Sequence, residues 1–368
     1  MHFKVPAKDT CCRCDEFQLK IEAATDDLER RSKFELEKKL HLAKALQARE
    51  SLKTDKDAAS NSCYVATFDL QKALPYPKLT TSIAYYKRNM YVYNFGIHSF
   101  NKNNGYMHLW DETEGGRGLQ EVASLLAKHI RQEAKNHTHV ILYSDSCTGQ
   151  NRNIKVASTL MNLVLDPKLS IKVIDHKFLV SGHSFLPNDQ DFGVIESASR
   201  KCIQIFTPED WLQVVKKAKT KKPFEVFKVN TSDILSTKKL EEMLVNRKKT
   251  DAGEPVKWLE MRWMRYEREE PWTLQFKNTL NEIVAFSKVT MSTKNSKICE
   301  KQDPLYKTVR VVTEAKKKDM LSLLPFLPPN AHGHFKSLRT EKPTRSQTAL
   351  NEENASESDD DEPIFNGA

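Results

Sequence analysis

Between Lys8 and Leu74 the chain holds neither Gly nor Pro, and helix formers dominate from Asp15 to Lys56. Phe17, Ile21, Ala24 and Leu28 recur at helical spacing, as do Leu36, Leu40 and Ala43, with a one-residue slip between the two sets near Thr25–Arg31. Residues 1–60 are therefore expected to form a helical arm, either a hairpin or one long amphipathic helix. Its charged flanks suit a coiled-coil surface, so a homodimer through this arm is one expectation and packing on the rest of the chain is the other. The period then changes. Cys63–Asp69 is β-rich, Ser82–Phe100 is aromatic and β-prone around a turn-like Lys87–Asn89, and Tyr106–Trp110 is a short third strand, which together predict a meander. Gly118–Lys135 is an amphipathic helix with Leu119, Val122, Leu125, Leu126 and Ile130 on one side. His139–Tyr143 is a short apolar run of the kind buried on both faces of a sheet. A helix over Ile154–Leu165, a strand over Ile171–Val180 and a helix opening at Pro187 and running towards Arg200 follow.

Beyond residue 205 the pattern weakens. Pro208–Lys217 predicts a helix, Phe224–Val229 and Val256–Tyr266 predict strands, and Lys216–Lys222 is a basic linker. The expected organisation is a helical arm with a Cys-rich start (1–60), an α/β core (61–205), a C-terminal α+β appendage (206–338) and a disordered acidic tail (339–368). The tail is too polar to offset its chain entropy by burial. Aromatic and basic residues interleave along Trp258–Arg268, a pattern that can stack bases but more often marks an edge strand with its aromatics turned inward.

Charge changes this picture. The chain carries a net +9, yet seven acids and no bases fall between Glu352 and Glu362, so the rest of the molecule is near +16. That balance favours an anionic partner, nucleic acid above all, against the plainer reading of a solvated lysine-rich surface. No apolar run approaches the roughly 18–20 residues a membrane span needs, and the start MHFKVP lacks a secretory signal's apolar stretch. An intracellular protein with no membrane partner is expected. The seven cysteines are then expected to be reduced. Cys11 and Cys14 have a Cys-x-x-Cys spacing, but zinc wants four ligands and only His2 and Cys12 are near in sequence, which disfavours a zinc site there.

Two aspartates close β-runs, Asp69 after VATF and Asp145 after VILYS. Carboxylates at the ends of neighbouring strands converge and repel, and a divalent cation relieves the repulsion. Two such ions can stabilise the attacking and leaving oxygens of a phosphodiester cleavage. The helix opening at Pro187 supplies a third acid, with Asp189 and Glu196 seven residues apart on one face and Asp191 between them. Each signal alone is weak, since a strand-end Asp is more often a turn or cap. Their order of strand acid, meander, helix, strand acid, helix, strand and helix acid is the ribonuclease H-like arrangement, a mixed sheet with flanking helices.

The stretches Tyr143–Asn153 (YSDSCTGQNRN), His176–Ser184 (HKFLVSGHS) and Asp191–Glu196 (DFGVIE) resemble an uncharacterised domain family of transposon-derived animal proteins, itself similar to DDE/D transposases. Phe68–Gln71, Pro75, Pro77, Asn94, Phe95, Trp110–Glu112, Arg117 and Gly118 match as well, so the resemblance runs from Phe3 to Leu338. It implies a ribonuclease H-like domain in which Asp69, Asp145 and a third acid bind Mg²⁺ or Mn²⁺ for phosphodiester cleavage or strand transfer. Family members share Asp189 and Glu196 more often than Asp191, which ranks the third acid in that order. Gln150, Asn151 and Arg152, in the loop after Asp145, are candidates to contact nucleic acid, as are Arg117 and His183. Asn151 and Asn153 are equally suited to cap the following helix. DNA is the expected nucleic acid and the nucleus the expected location, with the cytoplasm as the alternative. Related sequences sit inside longer proteins, so the start at Met1 is expected to be a truncation. The rival reading is then a catalytically inactive, domesticated nucleic-acid-binding or scaffold protein.

Overall fold

The computed structural model describes residues 11–146, 151–202, 204–292 and 298–341. The chain divides into a unit ending at Arg310 and a second beginning at Val311. In the first unit, α1 (Cys12–Ala23) and α2 (Leu28–Asp57) make a hairpin, the former of the two arrangements expected for the arm. Asp27 stops α1 running into α2 by capping the second helix, its carboxylate accepting from the Arg30 N–H at 2.9 Å. The strands β1 (Cys63–Leu70), β2 (Leu74–Tyr76), β3 (Met90–Ser99) and β4 (Asn104–Asp111) follow, and then α3 (Leu119–Glu133), β5 (His139–Ser144), α4 (Ile154–Val164), β6 (Val173–Phe178), α5 (Pro187–Lys201) and α6 (Pro208–Lys217). The first unit continues with β7 (Glu225–Lys228), α7 (Lys238–Glu242), β8 (Trp263–Glu267), β9 (Thr273–Lys277) and β10 (Ser287–Thr290).

These ten strands form one mixed sheet in the order β10-β9-β8-β6-β5-β1-β3-β4-β7, with β2 pairing beside β3. β1 runs antiparallel to β3 and parallel to β5, and β5 runs parallel to β6. Alternation along each strand sends side chains to opposite layers. From β1, Tyr64, Ala66 and Phe68 enter the core under α3 and α4 together with Leu125, Leu126 and Leu160. Full burial of a side chain such as Phe68 contributes about 1.5–3 kcal/mol. Val65 turns the other way, joining Ile141 and Tyr143 beneath Ala45 and Ala48 of α2. Helix α5 packs on β1 and β3 beside α2's layer, with α6 next to it.

Four expectations are corrected here. The apolar stripe of α2 does not run through Leu36, Leu40 and Ala43, which are exposed; the buried residues are His41, Ala45, Ala48 and Asp55. The helix lies close over the sheet, and only small or specifically bonded side chains fit beneath it. Residues 206–310 are not an appendage to the core, because β7 extends the sheet beside β4 and β8–β10 extend it beside β6. For the same reason Trp263–Glu267 is an interior strand, although its aromatics do turn inward: Trp263 and Tyr266 are buried. Ser82–Tyr86 is a 3₁₀ turn and not the start of a strand.

In the second unit, α8 (Glu314–Ser322) packs against α9 (Pro329–Lys336), and Thr340 bridges Val312 in parallel. The expected acidic tail lies outside the described residues from position 342 onward. No helix among the described residues is long and apolar enough to cross a membrane.

Candidate functional site

The acids expected to form one site sit at one end of the central strands. Thr67 faces Tyr143 across β1 and β5, and this register carried two places on sets Asp69 level with Asp145. Asp69 shares a face of β1 with Thr67. The Thr67 hydroxyl donates to Asn188 Oδ1 at 2.6 Å, and Asn188 Nδ2 donates to the Gly96 carbonyl at 2.9 Å, opposite Asp69 on β3. Asp189 follows Asn188, so these two bonds tie the start of α5 to the strand carrying Asp69 and to its neighbour β3. Gly96 permits this approach: a Cβ there would stand 2.6 Å from the Phe192 ring of α5.

Charge ties the three acids together. Burial pushes the Asp69 carboxyl up to about 7, and the nearby Asp145 and Asp189 charges add to the rise, while the Leu70 N–H and the Arg117 guanidinium oppose it. The Asp189 carboxyl is raised as well, first by the protein around it and then by Asp145. Each carboxylate is oriented by a hydrogen bond: Asp69 Oδ1 accepts from the Leu70 N–H at 2.8 Å, Asp145 Oδ1 from Asn151 Nδ2 at 2.5 Å, and Asp189 Oδ2 from the Leu186 N–H at 2.9 Å. The last of these also satisfies the Leu186 N–H at the start of α5.

Titration of Asp69 gives a stability prediction. Its carboxyl is near 7 folded against an ordinary 3.8, so its contribution is fully present below the unfolded value and is lost as pH rises through the folded one. At about 1.4 kcal/mol per pKa unit this is on the order of 2–4 kcal/mol. Urea unfolding in chelator at pH 5 and pH 8 should show Asp69→Asn narrowing the parent's stability gap between the two. An unchanged gap would contradict this placement of Asp69.

The other candidates separate. Glu196 is exposed further along α5, and Asp191 is buried with its Oδ2 2.7 Å from His98 Nδ1 and its Oδ1 3.7 Å from Lys219 Nζ, engaged in holding α5 to the sheet. Arg117 is exposed, donates to the Gln71 carbonyl at 3.5 Å and lies close enough to Asp69 to lower its carboxyl. Gln150 lies outside the described residues. Asn151 is buried on Asp145, and Asn153 alone caps α4, accepting from the Lys155 and Val156 N–H groups at 2.9 and 3.0 Å. Arg152 is turned inward, 8% exposed, donating to the Met261 and Ser146 carbonyls at 3.1 and 3.3 Å; its guanidinium is engaged by the protein and not offered to a phosphate.

Sequence reasoning gave no role to Gln71 and Asn94. They are buried and bonded to each other, Asn94 Nδ2 donating to Gln71 Oε1 at 2.9 Å, while Gln71 Nε2 and Asn94 Oδ1 have no hydrogen-bonding partner among the described residues. Gln71 lies on the same face of its segment as Asp69 by alternation.

His183 belongs elsewhere. Its Nε2 is 3.2 Å from Cys14 Sγ, Cys11 Sγ is 3.4 Å from His41 Nε2, and the two imidazoles are 5.0 Å apart. These four donors lie within 4.8 Å of one another, and among the described residues they are the one group of three or more His, Cys, Asp or Glu gathered in this way. Asp69, Asp145 and Asp189 feel one another's charge without being drawn so close. The expectation that Cys11 and Cys14 lack partners is thereby corrected: the missing donors come from the middle of α2 and from the loop before α5, both remote in sequence. Burial keeps the His41 imidazole below the usual histidine range, with the neighbouring His183 and Arg13 adding to the effect.

Comparison of the chain with protein-family models, with curated proteins and with solved structures gives no match.

Proposed function

We propose that the chain is a transposase-derived nucleic-acid-processing protein on a ribonuclease H-like core, with Asp69, Asp145 and Asp189 as a metal site for phosphodiester cleavage or strand transfer. The observation that carries this reading is the convergence of three carboxylates from three separate segments, near enough that Asp145 and Asp189 add to the rise burial imposes on Asp69 and Asp145 adds to that of Asp189. A cluster of like charges at the end of a sheet is unfavourable without a counter-ion, and folds retain such strain mainly where it is used. The order of elements supports the reading too: antiparallel β1, β3 and β4, then α3, β5, α4, β6 and α5, with acids near the end of β1, after β5 and at the start of α5.

The donor set of hard carboxylate oxygens suits Mg²⁺ or Mn²⁺. When bound, such ions supply Lewis-acid stabilisation of the phosphodiester oxygens. The chain's own groups have distinct tasks. Asn151, the Leu70 N–H and the Leu186 N–H each fix one carboxylate, as hydrogen-bonded ligands of metals are commonly fixed. Arg117 sets a positive charge beside the acids, where a phosphate backbone would pass. Glu196 stands outside this set as the alternative third acid. DNA as substrate and a nuclear location belong to the same proposal.

The test is fluorescence anisotropy of a DNA duplex against salt, followed by cleavage with Mn²⁺. The proposal expects the affinity to fall steeply with salt, each neutralised phosphate contributing about −0.9 to the logarithmic slope, and expects cleavage only when the cation is present. Binding without cleavage would leave the catalytically inactive reading in its place. No salt-dependent binding would remove nucleic acid as the partner.

A further inference from the structure

We infer that Cys11, Cys14, His41 and His183 form a structural zinc site that fastens the N-terminal hairpin to the loop leading into α5. Tetrahedral zinc with Zn–S near 2.3 Å and Zn–N near 2.0–2.1 Å sets its donor atoms about 3.3–3.8 Å apart. The two Cys–His distances, 3.4 and 3.2 Å, are already close to that spacing, and all four donors lie within 4.8 Å of each other. Two thiolates and two imidazoles select zinc over the hard cations suited to the aspartates. Four protein donors leave no open coordination position, which makes the site structural and not catalytic.

The backbone is shaped for this meeting. Cys11 and Cys14 span the first turn of α1, the Asp15 N–H closing it on the Cys11 carbonyl at 3.0 Å, so both thiols leave the same end of the helix. His41 is the one histidine of the hairpin and is buried, 8% exposed, in a helix whose other buried positions include Ala45 and Ala48. Immediately before His183, Gly182 adopts φ +75°, a conformation suited to glycine, and a Cβ there would stand 2.8 Å from both Cβ and Sγ of Cys11. The loop can reach the cysteines only with glycine at that place. Cys12, between the ligands, is exposed and outside the group.

A clip of this kind joins segments far apart in sequence, where closing the chain restricts the unfolded state most. Asp189 lies six residues beyond His183, so the zinc would also fix the entry of the helix bearing the third acid. The inference does not depend on the three-acid reading, because zinc content is measured without nucleic acid.

The full chain, purified from zinc-supplemented cells without chelator, should contain one equivalent of zinc by atomic emission. X-ray absorption should report two sulfur and two nitrogen neighbours, and replacement by Co²⁺ should give the visible bands of a tetrahedral thiolate complex. Cys14→Ser and His183→Gln should each weaken zinc binding by at least about 10–100-fold, the loss that follows removal of a mere hydrogen-bonding partner of a ligand. Cys12→Ser should retain the metal in full. If the ligand variants do not fold, the unaltered chain still decides: chelation should lower its melting temperature and added zinc should restore it. A folded chain that purifies without zinc and whose melting ignores added zinc would overturn the inference, as would zinc retained by both ligand variants.

Discussion

Asp145→Asn is expected to abolish Mn²⁺-dependent DNA cleavage by the full chain, reducing it by more than the roughly 10–100-fold that follows loss of a ligand's hydrogen-bonding partner. Its stability in chelator should stay equal or rise. The substitution keeps the shape of the side chain and an oxygen to accept from Asn151, which donates to Asp145 Oδ1 at 2.5 Å. What it removes is a negative charge, and that charge acts on both Asp69 and Asp189. Without it the Asp69 carboxyl should titrate lower, and the folded state should lose repulsion. An Asp145 that served only to hold the loop through Asn151 would behave in the opposite way: the variant would be less stable and any cleavage would persist. Thermal melts in chelator, run beside the cleavage assay, separate the two.

Asp55→Ala is expected to cost about 3–5 kcal/mol, the loss typical when one partner of a buried ion pair is removed. Lys177 is 1% exposed, and its ammonium lies 2.5 Å from Asp55 Oδ2 and 4.0 Å from the centre of the Trp263 ring. Tyr143 donates to the same carboxylate oxygen at 2.5 Å, and Ser51 bonds the Tyr143 hydroxyl at 2.8 Å. Removing Asp55 leaves a positive charge in the interface between α2 and the sheet, with Lys277 also over Trp263 at 4.6 Å. Adding Lys177→Met to Asp55→Ala should recover a large part of the loss, since the uncompensated charge is then gone. Urea unfolding of the two single variants and the double one gives the coupling. A single-variant loss below about 1 kcal/mol, the range of exposed pairs, would mean that α2 does not dock on the sheet through this pair.

That docking also marks where sequence reasoning stops. Helix α3 was legible because it carries its own apolar period, α5 because Pro187 opens it, and β5 because a strand buried on both faces must be apolar throughout. The burial of α2 was not legible from its leucines. Leu36 and Leu40 are 57% and 53% exposed, while Ala45 and Ala48 are buried, because close approach to a sheet selects small side chains whatever the hydrophobic pattern proposes. Likewise, β8 reads as an edge until β9 and β10 are known to pair beyond it, and Gln275 and Lys277 give β9 a polar look although both are buried.

The candidate site divides along the same line. Asp69 and Asp145 were legible because a carboxylate ending an apolar strand is a local signal, and the bond its carboxylate accepts from the Leu186 N–H explains why Asp189 is found at the start of a helix. The fate of Arg152 was not, since only the folded chain brings the Met261 carbonyl to it. For the cysteines the spacing was visible, but no spacing rule connects Cys14 to a histidine 169 positions away. The pair Gly182-His183 takes its meaning from the left-handed backbone at Gly182, which swings the ring onto the thiols.

The central claim, that Asp69, Asp145 and Asp189 share a divalent cation, is tested most directly by calorimetric melting of the zinc-loaded full chain with increasing Mn²⁺. Keeping zinc in place confines the response to the carboxylates. A ligand that binds only the folded state stabilises it by about 2.7 kcal/mol at a hundredfold excess over its dissociation constant, so the account predicts a melting temperature that climbs with Mn²⁺ in the parent and stays level in Asp145→Asn. A parent whose melting temperature is indifferent to Mn²⁺, or a variant that responds as the parent does, would contradict it.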